Sequence, residues 1–581
     1  MAFDATILDS RPVSLALTGA GGSGALTAGR IFLRLAGRSG AYGVMRQSVG
    51  PQIRGGESAA LMRIGKNPVE SLDDRFDVLV AMDWMNVARF MDEMPLDRDS
   101  MIVYDPASGD VPEVLGATGA RAFPIDLKAI AKSIPGGRAN MVAVGVMAHL
   151  CGLPNDDMQG LLKSMLGHKG DEVVQASFDC FLAGRKAAEG TAIPAANTLE
   201  TAMGERWYLS GNEASALGAL YGGVRFVAAY PITPASDLLE WMTPRLEALG
   251  GCLVQAEDEL ASINMIVGAS YGGVPALTAT SGPGLSLMSE GIGLAVASET
   301  PVVVINVMRG GPSTGIPTKS EQSDLDQALH GLHGDAPHVV VASSSISDCM
   351  LVARWAARLA ESLQTAVIML TDQAMGQARA VVDPLPNYEC SGERQTVIPG
   401  DEPYQRYAVT ESGISPMALP GAPGGAYTAD GLEHEPGGKP STAASNHREQ
   451  LDKRARKIAE HDYGWRCCTV ESAGGGDGEL AIITWGSTTL AAREAQERAL
   501  AKGIPVRLIL LRLLSPLPIK NIQDALNGVN KLLVLEQSRS RQFHRHLRAE
   551  MNLPEDTRCL CEPGPLPLMP GRILEEIESW N

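Results

Sequence analysis

Three consecutive acids, Glu257, Asp258 and Glu259, stand where an apolar run gives way to a helical one in "GGCLVQAEDELASINMIVGASYGG". Such a cluster has an ordinary use, because negative charge in a first helical turn complements the helix dipole. It also puts a carboxyl group at the end of a strand, where ligands of α/β sheets bind. Neighbouring stretches repeat that strand–turn–helix pattern. In "AAYPITPASDLLEWM", Pro231 removes a donor and ends sheet pairing, Thr233 is placed to cap a helix, and Pro234 fits its first position. "TSGPG", Thr280–Gly284, turns a third strand into a helix, and "MRGGPSTGIPT", Met308–Thr318, leaves a fourth with Arg309, three hydroxyls and flexible glycines. An acid at Glu259, a guanidinium at Arg309 and hydroxyls at Thr233 and Thr318 thus converge on one rim. A guanidinium with hydroxyls beside it is what a carboxylate ligand requires.

Two glycine-rich stretches carry weaker signals. "GAGGSG" at 19–24 follows a strand and opens a helix, and Gly19, Gly21 and Gly24 have dinucleotide-fingerprint spacing. The following region, "VMRQSVGPQIRGGES", offers Arg46 and Arg54 and no acid before Glu57, which disfavours NAD. A structural turn and a different phosphate-bearing ligand both stay open. "GGGDG" at 474–478 resembles the start of a thiamine diphosphate motif, but "AKGIPVRLIL" stands where an Asn pair would complete it. A glycine turn is the better reading, and the chain has no complete diphosphate–metal site. The nine cysteines include no C-x-x-C pair, so neither a zinc ribbon nor a ferredoxin-type cluster is expected, and no metal ligands are assigned. Cys559-Leu-Cys561 reads as two strand thiols.

The elements that position these residues alternate in type. Val13–Thr18, Ser58–Ile64, Phe76–Met82 and Met101–Tyr104 read as strands, with helices at Ala25–Leu35 and Asn140–Leu150. After the linker-like "GTAIPAANTLETAMGERW", four apolar strand candidates alternate with helices from about Leu209 to Arg309, which describes a parallel sheet covered on both faces. A helix at Ser345–Ala360 and a strand at Thr365–Leu370 extend it. From Pro384 to Lys453 the chain is dense in Gly, Pro, Ser and Asp, a long connection or an ordered irregular lobe. "ELAIITWGS", "IPVRLILLRLL" and "NKLLVLEQS" then mark the strands of a last α/β unit. The reading is an α/β fold of three domains with mainly parallel sheets: 1–190, 191–383 and 461–581, with 384–460 as the Gly/Pro-rich connection.

Composition excludes several classes. Asp and Glu outnumber Lys and Arg by 67 to 49, a net charge of −18, which argues against nucleic acid or an anionic membrane as partner. No run of about 18 apolar residues is present to span a bilayer, and "MAFDATILDSRPVSLALTG" lacks the basic start of a signal peptide. Scattered cysteines suit a reducing compartment. The expectation is a cytoplasmic protein.

"YPITPAS", the run from "EDELASINM" through "MRGGPSTGIPT", and "YAVTESGISPMALPGAPGG" resemble the α subunit of the 2-oxoacid:ferredoxin oxidoreductases, most closely the 2-oxoglutarate type. "GAGGSGALTAGR … GPQIRGGES" is similar to that family's γ component, fused ahead of α. Ser23 and "LEQSRSRQ" depart from the commoner forms of its motifs. The resemblance implies a thiamine-enzyme pyrimidine-type domain in the middle and a transketolase C-terminal-like domain last. It implies decarboxylation of a 2-oxoacid on thiamine diphosphate, electron transfer to ferredoxin, and formation of an acyl-CoA. The β subunit would carry Mg2+ and a 4Fe–4S cluster, and the enzyme would be a dimer of αβ units. Glu259 would hold the thiamine ring, Thr233, Arg309 and Thr318 the substrate, and Gly21, Gly22, Ser23, Gln52 and Arg54 coenzyme A. The alternatives are pyruvate or a branched 2-oxoacid as substrate, or a non-catalytic, nucleotide-sensing subunit.

Overall fold

The computed structural model describes residues 11–50, 56–191, 193, 204–316, 319–387, 390, 392–472 and 478–580. Gln52, Arg54, Thr318 and most of "GGGDG" lie outside them. The described residues form two compact units, one from Met1–Ser210, Gln377–Pro386 and Met569–Arg572, the other from Gly211–Gly376, Asn387–Leu568 and Ile573–Asn581.

The first unit is built on one eight-stranded sheet, in the order 121–124, 101–104, 78–81, 13–20, 57–65, 42–49, 379–382, 207–210. Its first four strands are parallel and the rest pair antiparallel. Helix Ala25–Arg38 covers it with a stripe at Ala28, Ile31, Phe32 and Leu35, the spacing that puts side chains on one helical face. Strands Tyr42–Val49, Trp207–Ser210 and Arg379–Val382 are additions to the sequence reading. The last two are four residues each and find their partners far away in the chain, so no local pattern announces them.

The second unit contains two sheets. The larger runs 513–515, 339–342, 366–372, 302–308, 276–280, 226–229, 252–255, and all but its first pair are parallel. The smaller runs 468–472, 506–511, 480–485, 531–536, 556–561. The segment "IPVRLILLRLL", expected as one strand, serves both. Val506–Leu511 lies in the smaller sheet and Leu513–Ser515 pairs with Val340 and Val341 of the larger. Arg512, between them, is buried and forks onto Asp348 with Nε 2.8 Å from both carboxylate oxygens. This shared chain is why 461–581 does not stand apart from the middle sheet.

Residues 392–443 are the ordered irregular lobe, followed by helix Ala444–Ala459, which the composition had hidden. The lobe and this helix are fastened by buried charge. Glu299 accepts from Lys453 Nζ at 2.7 Å and from Lys457 Nζ at 3.0 Å, and Arg406 donates to the Glu299 carbonyl at 2.7 Å. All four residues are buried. Burial alone would raise the Glu299 pKa, but Lys457, Lys453 and Arg406 outweigh it and hold the carboxyl well below the usual range. Removing one member of such a cluster strands the others. Glu299→Ala should therefore destabilise the second unit by about 3–5 kcal/mol, read as a lowered midpoint in chemical denaturation. Adding Lys453→Met and Lys457→Met should recover much of the loss. An unchanged midpoint in the single variant would contradict this account.

Candidate active site

Strands Ala276–Thr280, Phe226–Ala229 and Cys252–Gln255 lie side by side and parallel, with Val302–Met308 next to the first of them. Their carboxyl ends therefore open on one edge, and the loops leaving that edge carry Thr233, Glu259, Gly282 and Arg309.

Glu259 is the first residue of helix Glu259–Tyr271, and Asp258 is its cap, accepting from the Ala261 N–H at 2.7 Å. The division of labour among the three acids is thus physical. Asp258 satisfies the helix end, Glu257 is exposed, and Glu259 is buried at 7% exposure. What buries it is helix Gly282–Ala297. A β-carbon on Gly284 would lie 2.6 Å from Glu259 Oε1 and 2.0 Å from Thr280 Oγ1, and one on Gly291 would lie 2.6 Å from Ile263 Cγ2. Positions 284 and 291 share a helical face, as do 259 and 263. The two helices close on each other over these glycines, and the Glu259 carboxyl and Thr280 hydroxyl meet beneath them.

Thr233 differs from its expected role. Helix Ser236–Ala248 has Ala235 at its N-cap, so Thr233 and Pro234 belong to a preceding turn. The Ile232 carbonyl accepts from the N–H groups of Ala235 and Ser236 at 2.9 and 3.0 Å, which adds the extra turn. Asn212 anchors it by donating to the Pro234 carbonyl at 2.8 Å. Thr233 remains exposed at the strand end.

Arg309 continues its buried strand and is only 7% exposed, and its Nε has no hydrogen-bond partner among the described residues. Its loop closes on itself through Gly310 N–H to the Lys319 carbonyl at 3.0 Å and Ile316 N–H to the Gly310 carbonyl at 2.9 Å. Gly315 has φ +56°, and a β-carbon there would strike the Gly310 carbonyl, so the closure requires glycine. Beyond the loop, Gln322 is tied to the Trp485 carbonyl at 2.8 Å and to the Gln537 N–H at 2.8 Å. Asp324 was not singled out in the sequence. It accepts from Asn306 Nδ2 at 3.0 Å and sits beside Gly282. Burial pushes its carboxyl pKa up against the pull of Asn306 and Arg309. Burial likewise lowers the Arg309 pKa while Asp324 opposes it. The only sequence signal for Asp324 was an acid ahead of a short helix, which usually means a cap.

In the first unit, Gly21, Gly22 and Ser23 line a cavity of about 940 Å³. Gly22 has φ +90° and open space where a side chain would stand, and Ser23 Oγ is buried without a hydrogen-bond partner among the described residues. Backbone this bare can approach a phosphate closely.

Residues 217–453 match a family described as pyruvate flavodoxin/ferredoxin oxidoreductase, thiamine diphosphate-binding, and residues 14–187 match pyruvate ferredoxin/flavodoxin oxidoreductase. The 2-oxoacid:ferredoxin oxidoreductase subunit alpha of Saccharolobus solfataricus is 30% identical across 98% of this chain and 97% of its own length. The chain belongs to the 2-oxoacid:ferredoxin oxidoreductase family. The 2-oxoglutarate oxidoreductase subunit KorA of Mycobacterium tuberculosis is 33% identical over 83% of this chain and 78% of its own. The solved 2-oxoglutarate:ferredoxin oxidoreductase of Magnetococcus marinus, with 2-oxoglutarate, coenzyme A and succinyl-CoA bound, superposes with a TM-score of 0.91 at 33% identity, covering 98% of this chain and 99% of that one. The sequence resemblance to this family, and its nearness to 2-oxoglutarate-acting members, is therefore upheld, and with it an α/β oxidoreductase of mainly parallel sheets.

The cradle makes a test. Gly284→Ala forces a methyl group against the Glu259 carboxyl and the Thr280 hydroxyl. Overpacking of this kind costs about 1–3 kcal/mol, and displacing the carboxyl should cut turnover of the assembled oxidoreductase at least as much as Glu259→Gln does. Wild-type turnover in Gly284→Ala would show that Glu259 can leave the cradle without consequence.

Proposed function

We propose that this chain is the α subunit, with a fused γ-type domain, of a thiamine diphosphate-dependent 2-oxoglutarate:ferredoxin oxidoreductase that interconverts 2-oxoglutarate plus CoA with succinyl-CoA plus CO2. The observation that carries the reading is the Glu259 carboxyl, buried under Gly284 at the carboxyl edge of a parallel sheet. Thiamine diphosphate, when bound, supplies a nucleophilic ring carbon and an electron sink for decarboxylation. Glu259 would hold the aminopyrimidine by a hydrogen bond to a ring nitrogen and keep a proton in place there.

Substrate choice follows from charge. 2-Oxoglutarate carries a second carboxylate, and burying it unpaired costs several kcal/mol. Arg309, with its free Nε, is the group to receive it, supported by Thr318, and Thr233 would meet the carboxylate next to the oxo group. In the N-terminal domain, Gly21, Gly22, Ser23, Gln52 and Arg54 would bind CoA. A β subunit would complete the site with Mg2+ and a 4Fe–4S cluster and pass electrons to ferredoxin, in a cytoplasmic dimer of αβ units. Among the described residues no helix is long and apolar enough to cross a membrane.

The experiment is a substrate-panel assay on the chain alone and co-purified with its partner, with a viologen dye as acceptor. Dye reduction should require both chains, CoA and a 2-oxoacid, with 2-oxoglutarate preferred over pyruvate and branched 2-oxoacids. Activity of this chain alone would refute the shared site.

In the assembled enzyme, Arg309→Ala should lower kcat/KM for 2-oxoglutarate by about 2–4 kcal/mol, mostly through KM. Activity on 2-oxobutyrate should survive better. Equal losses on both would place Arg309 at the shared carboxylate instead.

A further inference from the structure

The N-terminal cavity holds more recognition chemistry than its glycine loop. Helices Ala25–Arg38 and Ala139–Leu150 both begin at its wall, and no side chain caps either one. Uncapped N-termini present unpaired N–H groups and favour anions. A second observation points the same way. Asn140, only 7% exposed, donates from Nδ2 to the Gly24 carbonyl at 3.2 Å, while its Oδ1 is buried on the cavity wall with no partner among the described residues. Together with Ser23 Oγ it leaves one acceptor and one hydroxyl for a ligand to satisfy.

The charge in the wall is also arranged for an anion. Its acid, Glu57, is already paired with Arg89 at 2.5 Å and accepts a hydrogen bond from Asn86 at 2.9 Å. Its cations are Arg138, just ahead of the second helix, and Lys169, at the end of the turn Gly167–Lys169. Both are exposed, and neither forms an ion pair among the described residues. Two uncommitted cations on separate elements are notable in a chain of net charge −18.

A coenzyme A molecule has two anionic parts with different needs. Its diphosphate spreads charge over a linker that backbone N–H groups can cradle. Its 3′-phosphate is a terminal monoester, close to dianionic at neutral pH, and calls for full countercharges. We infer that Arg138 and Lys169 receive the 3′-phosphate, and so make this chain select CoA over 3′-dephospho-CoA. Asn140 Oδ1 then accepts from a hydroxyl or amide N–H of the same ligand. This rests on the reading of the cavity as the CoA site.

The test is calorimetry with CoA and with 3′-dephospho-CoA on the assembled enzyme. Wild type should bind CoA at least tenfold more tightly. The double variant Arg138→Ala, Lys169→Ala should lose that preference. CoA binding should weaken tenfold or more while the dephospho form changes less than twofold. KM for CoA should rise with kcat at saturation kept, and Arg138→Lys with Lys169→Arg should restore most of the preference. Equal weakening of both ligands, or no weakening of CoA, would overturn the assignment while leaving CoA in the cavity. Gly22→Asp separates the two levels, because it sets a carboxylate in the open space beside the loop. It should weaken both ligands at least tenfold. Unchanged binding of both would remove CoA from the cavity, and the phosphate assignment with it.

Discussion

Helices Glu259–Tyr271 and Gly282–Ala297 approach so closely that side chains at 284 or 291 have nowhere to go. This contact decides what the rest of the rim can do. It takes a carboxyl group out of water at the head of a helix, with no ion-pair partner for it among the described residues, and it places a buried hydroxyl, Thr280, under the same glycine. A carboxyl at an exposed helix start would only decorate the dipole. The same group pinned between two helices has a fixed place on the rim.

The cradle is only as rigid as its surroundings. Helix Gly282–Ala297 runs into Glu299, whose carboxylate is gripped by Lys453 and Lys457 of helix Ala444–Ala459 and whose carbonyl is gripped by Arg406 of the irregular lobe. A lobe without sheet or long helix has few backbone ladders to hold it, and buried ion pairs provide the alternative, at the risk of stranded charge if one fails. On the other side, Gln322 ties the end of the Arg309 loop to the smaller sheet, while Arg512 fixes the crossover strand to Asp348. Polar tethers within the second unit thus hold the two walls of its rim.

Arg309 and Asp324 show how a buried cation and a half-buried acid share one rim without pairing directly. They are near enough for each to feel the other's charge, yet Asp324 takes its hydrogen bond from Asn306. The Arg309 Nε is buried with no hydrogen-bond partner among the described residues. A buried guanidinium edge of this kind favours an anion beside it. The N-terminal cavity follows another logic, with bare backbone, helix ends and exposed cations in its wall.

Local chemistry was enough to read much of this chain. Alternating apolar runs announced the parallel strands, and Pro231 and the glycines marked the turns. Family motifs singled out Glu259 among three adjacent acids, and Gly21, Gly22 and Ser23 at a phosphate-type loop. These features are set by spacing along the chain, where backbone geometry and side-chain type act directly. Other features depended on segments far apart meeting in space. Trp207–Ser210 and Arg379–Val382 joined the first sheet, "IPVRLILLRLL" divided itself between two sheets, and Lys453 and Lys457 found Glu299 across more than a hundred residues. Thr233 lost the expected cap because the Ile232 carbonyl closed one more turn. Asp324, Asn140 and Arg138 stand out only through what lies near them in the fold. Burial and electrostatic pairing are properties of neighbours in space, and no window of sequence contains both partners.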